Sequence, residues 1–289
     1  MENWENYRLV LALHRAGTIR GAANALNINH ATVSRRLAQM NSQSHLPLFE
    51  KVTGGYQATE LGLTLVAAGE KIEMITVISD RRSRAISANL SGTIRVSMGE
   101  PIAQYLLQDE LMSFAKNHPK IELSIETSIG LVDLDRSEAD IVIRATASPP
   151  DHLVGRRLFP FYLCNYCSRE YLANTPYEER QWLKYSKSST AKDWIKHSSH
   201  PDAPIALHSD DLIFLLKAAK AGQGMIRTAC YMADPVSDLV RLPLAETHEA
   251  QDLWILTHPD LRRTKRIQHL MSYLATALED KRALIQGVI

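Results

Sequence analysis

Between Thr18 and Met40 the chain reads TIRGAANALNINHATVSRRLAQM, and its polar residues are of the kind that meet phosphates and base edges. Asn29, His30, Thr32, Ser34, Arg35 and Arg36 crowd its second half. An arginine fork fits guanine or clamps a phosphate. Asn29, His30 and Thr32, at the start of a predicted helix, are best placed for base edges, and Ser34 for a phosphate. Val33, Leu37 and Met40 recur at helical spacing and turn inward. Before them Ala22, Ala23 and Leu26 make a second short helix, with Thr18 as its N-cap. Two short amphipathic helices joined by a tight turn have the profile of a helix-turn-helix. The competing account of the polar face is a solvated helix surface.

Chemistry of the bond-making kind finds little support. There is no GxSxG elbow, no P-loop and no HExxH, and Glu178, Glu179 and Asp193 have no identifiable partners. No catalytic residue, metal site or cofactor is expected, and an enzyme is not. Cys164 and Cys167 have dithiol spacing, but three residues apart on a strand places them on opposite faces. Two buried small residues is the better account, with redox sensing the alternative.

Other elements must brace the helical pair. Residues 3–16 predict a helix with Trp4, Tyr7, Val10, Leu11 and His14 on one face. Val52-Thr53-Gly54-Gly55-Tyr56-Gln57 predicts a hairpin, a wing that carries Lys51, Thr53 and Tyr56 toward a nucleic-acid backbone. Thr59 and Glu60 then open a long helix, roughly 40 Å at ~1.5 Å per residue. Along it Leu61, Leu65, Ala68, Ile72 and Ile75 form a narrow seam for pairing with a second copy, against the alternative of a helix buried in its own chain.

From Thr93 strands alternate with helices: Ile94–Met98, a helix to about His118, Ile121–Glu126, then Asp140–Arg144. The pattern returns with extended segments near Phe161–Cys167, Ile205–His208, Met225–Arg227 and Leu253–Thr257, and helices over Asp211–Ala221 and Thr264–Leu284. This predicts two α/β lobes on a largely parallel sheet, with a cleft between them. Ligands lie beyond the carboxyl ends of strands in such sheets. That rule points to Gly99, Glu100, Pro101, Thr127, Ser128, Arg144 and Thr146 in the first lobe, and Ser209, Gly224, Met225 and Thr228 in the second. Ser209 and Thr127 are equally well read as helix caps.

An apolar fraction of 45% supplies a sizeable core for two or three domains. Residues 1–90 hold ten Lys+Arg against seven Asp+Glu and the remainder 23 against 25, a mild asymmetry in the right sense for an N-terminal nucleic-acid module. Three cysteines argue against a disulfide framework. With no signal-peptide pattern and no long apolar run, the expected location is cytoplasmic.

Residues across the whole chain carry a resemblance. Ala16-Gly17-Thr18, Ala22-Ala23, Leu26, Ile28, Val33-Ser34-Arg35, Leu37, Pro47-Leu48-Phe49-Glu50 and Thr59-Glu60-Leu61-Gly62 resemble the winged helix-turn-helix of LysR-type transcriptional regulators. Gly92-Thr93-Ile94-Arg95-Val96, His118-Pro119, Ala139 to Arg144, Tyr171-Leu172, Ala221 to Met225, Leu239 to Leu242 and His258-Pro259 resemble that family's effector domain. Three departures stand out: Met40-Asn41 in place of Leu-Glu, Gly21 within the second helix, and Gln57-Ala58 after the wing.

The resemblance implies an N-terminal winged helix-turn-helix (1–58), a linker and dimerisation helix (59–89), and a periplasmic-binding-protein-like effector domain (90–289). Its first lobe would take 90–160 and 267–289, its second 161–266. It further implies a sequence-specific regulator on double-stranded DNA with an interrupted palindrome, acting as a homodimer or homotetramer without a membrane. A small effector would bind between the lobes. The family commonly binds carboxylates or aromatic metabolites there, yet Glu100 would repel an acid and suits a hydroxylated or amine-bearing ligand. The alternative is the same regulator under redox control through Cys164 and Cys167.

Overall fold

A computed structural model describes residues 3–44, 46–85, 90–127, 139–186, 194–243 and 246–288. The chain divides into two compact units, Met1–Ser83 and Arg84–Ile289.

In the first unit, α1 (Trp4–Ala16), α2 (Ile19–Leu26) and α3 (His30–Gln43) pack around Leu9, Val10, Leu13, Ala22, Ala23, Val33, Leu37 and Met40. Each helix is capped locally: the side chains of Asn3, Thr18 and Asn29 accept from the N–H groups of Glu5, Gly21 and Ala31. Gly17 ends α1 at φ 66° and Asn27 ends α2 at φ 52°, left-handed positions that let the chain turn sharply. His14, expected on the inner face of α1, is exposed, because the buried residues are the run Leu9–Leu13. Gly21 has a packing reason, since a Cβ there would lie 2.8 Å from the Ala16 Cβ. That offsets the ~1 kcal/mol that glycine costs in a helix. Asn41, in place of the family's glutamate, accepts the Leu48 N–H at 3.0 Å and so holds the chain that leads to the wing.

The wing is β1 (Phe49–Val52) against β2 (Gly55–Ala58), antiparallel, with Val52 opposite Gly55 across the two-residue turn. The following helix, α4 (Glu60–Ala85), has 26 residues, about 39 Å at the usual rise. It is tied to α1 by both guanidinium nitrogens of Arg15 on the Glu73 carboxylate, at 3.0 and 2.7 Å.

The second unit is built on a seven-stranded sheet. Its strands are β3 (Gly92–Met98), β4 (Ile121–Thr127), β5 (Ile141–Ala145), β6 (Val154–Ser168), β9 (Ile226–Ala229), β10 (Leu239–Arg241) and β11 (His248–Thr257). They run in the order β10-β6-β11-β5-β3-β4, with β9 also on β6. Only β3–β4 and β3–β5 are parallel; the pairs made by β11, β6, β9 and β10 are antiparallel. This corrects the expectation of a largely parallel sheet. β5 and β6 run the same way but do not pair with each other: β11, from much later in the chain, lies between them and runs opposite to both.

β6 serves both lobes: its first half pairs with β11 in the first, its second half with β9 and β10 in the second. The run α5 (Glu100–Ile102), a π turn (Ala103–Leu107) and α6 (Gln108–Asn117) covers the first lobe with α10 (Lys265–Asp280), whose Ile267, Leu270, Leu274 and Leu278 are buried at helical spacing. The second lobe adds α7 (Arg169–Asn174), a parallel pair β7 (Trp182–Tyr185) and β8 (Ile205–Ser209), α8 (Leu212–Lys220) and α9 (Cys230–Ala233). Cys167, Tyr171, Trp182, Met225 and Leu242 form its separate small core. The final helix, α11 (Arg282–Ile285), packs on α9, and Arg241 Nη2 donates to Gly287 O at 2.8 Å. The sequence reading puts 267–289 in the first lobe; the end of the chain at Gly287 is instead held by Arg241 of the second lobe, itself paired with Asp234.

Candidate nucleic-acid interface and effector cleft

The turn between α2 and α3 is only Asn27-Ile28-Asn29, which keeps the two helices in contact. His30, Ser34 and Arg35 are exposed on α3 and Thr32 is half-buried. Arg36 sits one residue, about 100°, further round, with Nη1 3.5 Å from Glu5 Oε2. The adjacent arginines thus do not share a surface. Arg8 first, and Arg36 with it, hold the Glu5 carboxyl below its ordinary pKa. Asn29 Oδ1 is occupied as the cap of α3, which leaves its amide hydrogens for an acceptor.

Thr18 and the wing are brought together. Tyr56 N–H donates to Gly17 O at 2.8 Å, and Gly55 lies so close that a Cβ there would be 2.2 Å from that oxygen. Lys51 and Thr53 are exposed on the hairpin, whereas Tyr56 is half-buried against the core. Sequence reasoning passed over Arg20, exposed beside Thr18 on α2; its position in the helix-turn-helix was the available signal.

The expected seam on α4 is divided. Leu65 is buried in the unit's own core, and Leu61 packs against that core but is only half-buried. Ala68 and Ile72 are half-buried, and Ile75 is 64% exposed together with Leu63 and Met74. The first turns must close the core beneath Leu48 and Phe49, which claims their apolar face.

In the second unit, Gly99 and Arg144 each follow the last registered pair of β3 and β5, Met98 with Ile143. Arg144 is buried, and its Nη2 donates to Ser97 Oγ at 2.9 Å. Burial lowers its pKa, opposed by the charge of Glu126. Glu100 accepts from Gln104 Nε2 at 3.0 Å, and Pro101 is half-buried. Tyr105, in the π turn, was not anticipated. Burial raises its pKa, and so do the carboxylates of Asp211 and Glu100, one from each lobe. A hydroxyl between Val96 and Met98 was the available signal for Ser97.

Thr127 is exposed at the end of β4, and Ser128 lies outside the described residues. The Thr146 hydroxyl is engaged with Ser148, and Ser209 Oγ accepts the Asp211 N–H at 3.1 Å, while the cap of α8 is Asp211 itself. Three expected ligand contacts are corrected. Met225 is fully buried in the second lobe's core. Thr228 is buried with its hydroxyl on Met232 Sδ. Gly224 is closed against β7, where a Cβ would meet Gln181 O at 2.9 Å. The strand end that sequence alone suggested is capped by α9 and packed from within.

Cys164 and Cys167 are not disulfide-bonded and are buried in different cores, as opposite faces of β6 require. Burial raises both, Cys167 to about 11. Among the described residues no helix is long and apolar enough to cross a membrane.

A winged helix-turn-helix followed by a two-lobed α/β unit defines the class of DNA-binding regulators that carry a ligand-binding domain. The family profile described as "Bacterial regulatory helix-turn-helix protein, lysR family" matches residues 4–63, and "LysR substrate binding domain" matches 87–279. The chain belongs to the LysR-type transcriptional regulators, a family of oligomeric DNA-binding proteins with effector-binding domains.

It is similar to the Mau operon transcriptional activator of Paracoccus denitrificans, 34% identical over 146 residues, 49% of this chain and 50% of that protein. It is also similar to the regulator CrgA of Neisseria meningitidis, 25% identical over 171 residues, 59% and 57% of the two chains. These matches span little more than half the length of the relatives. Among solved structures, full-length AphB of Vibrio cholerae superposes with TM-score 0.65 at 16% identity, over 95% of this chain and 99% of that one. CrgA does so with TM-score 0.56 at 20% identity, over 97% and 99%. At such identities the likeness is one of fold.

Proposed function

We propose that the chain is a cytoplasmic, sequence-specific regulator that binds an interrupted palindrome as a homodimer or homotetramer. Residues 1–58 make the DNA contact, 59–89 pair copies, and 90–289 receive a small effector. The observation that carries the reading is the exposed polar start of α3, together with a wing hydrogen-bonded to the Gly17 turn that joins α1 to α2. On it His30, Thr32 and Asn29 read bases, and Arg35 supplies charge. Ser34, Thr18, Lys51, Thr53 and Tyr56 position the phosphate backbone. Ile75, with Ala68 and Ile72, contributes to pairing.

The effector lies between the lobes against Gly99, Glu100, Pro101, Arg144 and Thr127, with Thr146 at the rim and Ser209 opposite. Glu100 and Asp211, both near Tyr105, suit a hydroxylated or amine-bearing ligand better than a simple acid. A ligand that binds one lobe arrangement more tightly shifts the population toward it and so changes the spacing of the DNA-binding units. Ligand control is favoured over redox control because a thiol of pKa about 11 is protonated at neutral pH and its neighbour faces another core.

Selection of fragmented source-genome DNA on the purified protein, with Arg35→Ala as control, tests the reading. Enrichment of a few sites that share an interrupted palindrome and are lost in the variant is expected. No enrichment above the control, with or without added cell extract, would reject it.

A further inference from the structure

His118 ends α6 and His269 lies on α10, and their Nε2 atoms are 2.8 Å apart. The Nδ1 of His118 is 2.9 Å from Phe114 O. A carbonyl only accepts, so Nδ1 carries the hydrogen, and the Nε2 of the neutral ring presents its lone pair toward His269. The same ring stacks on Phe114 with centroids 4.2 Å apart, which fixes its plane. His118 is half-buried and His269 exposed, so the pair is reached from solvent.

The separation suits a metal ion. Two imidazole nitrogens at ~2.0–2.1 Å from one ion and at right angles are roughly 2.9 Å apart, the cis edge of an octahedral or square-planar site. The ring centroids are 4.7 Å apart with planes at 67°, closer than rings aligned end to end would be, as two nitrogens converging on one point require. Among the described residues no group of three or more His, Cys, Asp or Glu is placed to hold a metal, so the chain supplies two ligands and water the others.

We propose that His118 and His269 chelate one divalent nickel or copper ion at the α6–α10 contact. The Nδ1–H bond to Phe114 O is its outer-shell support, holding the donor nitrogen in place. The ion would join α10 to the far end of the helical run that begins at Gly99 in the cleft.

Calorimetric titration of the full chain with Ni2+ at neutral pH tests this. One saturable site is expected, weakened about tenfold or more in His269→Gln and in His118→Gln. Far-ultraviolet circular dichroism confirms that both variants keep their helices. Affinity that persists in either folded variant, or the lack of a saturable site in the parent, overturns the proposal. Should His118→Gln misfold, the exposed His269→Gln and the nitrogen hyperfine pattern of bound Cu2+ decide: two imidazole nitrogens in the parent and one in the variant support the chelate, and an unchanged pattern rejects it.

Discussion

Arg36 Nη1 approaches Glu5 Oε2 to 3.5 Å, so the second of two adjacent arginines on α3 is turned back onto α1 while Arg35 stands free on the exposed face. Both residues are at least one-third exposed, and a pair of this kind contributes little to stability. Its consequence is for charge, since Glu5 partly neutralises Arg36.

The two arginines should therefore differ in DNA binding. Arg35→Ala is expected to reduce affinity by at least about 1 kcal/mol, with a salt slope shallower by about one if the contact is to phosphate. Arg36→Ala should cost less. Fluorescence anisotropy with a selected site over a salt series checks this, and equal losses would place Arg36 on the DNA as well.

The close approach of the wing to α2 predicts an unusual glycine. Gly55→Ala would set a methyl 2.2 Å from the Gly17 carbonyl oxygen, a backbone atom that cannot swing aside. A loss of about 1–3 kcal/mol is expected, as for overpacked cores, together with weaker DNA binding as the hairpin is displaced. Urea unfolding and binding assays on the same sample read both effects. A stable variant with native DNA affinity would show that the wing is held otherwise.

Leu65 and Ile75 share a sequence stripe but should separate experimentally. Leu65→Ala removes a buried side chain and is expected to cost about 2–5 kcal/mol. Ile75→Ala, at an exposed position, should change the stability of the unit by less than about 0.5 kcal/mol yet weaken self-association. Sedimentation over a concentration series distinguishes the two, and unaltered association in Ile75→Ala would move the pairing surface elsewhere.

His200 predicts a pH dependence. It is buried, its Nε2 is 3.0 Å from Arg180 Nη1, and Tyr177 stacks on its ring. Burial, then the Arg180 charge, lowers its pKa below the ordinary imidazole value. The unfolded chain then binds the proton more readily, so this stabilisation is fully present above about pH 6.5 and is lost as pH falls toward the folded value. Denaturant midpoints at pH 7.5 and 5.5 should differ more in the parent than in His200→Asn. Identical shifts would remove His200 from the account.

What the sequence determined by itself was local. Capping residues, apolar periodicity and glycine turns act within a few residues, so α2, α3, the hairpin and the start of α4 were legible, as were β3, β4 and β5. Strand direction was not legible: β6 and β11 are antiparallel because residues far apart in the chain pair, and no local pattern records the partner. The same limit explains Leu65, whose spacing is that of a seam but whose burial follows from the loop carrying Leu48 and Phe49. It explains Met225 and Thr228, which lie at the two ends of an extended segment in sequence but are buried in space, Met225 in the second lobe's core and Thr228 against Met232 of α9. Arg36 and Tyr105 took their electrostatic partners from other elements, Glu5 across 31 residues and Asp211 from the opposite lobe. Residue type set what each group could do, and packing decided which groups were left facing solvent to do it.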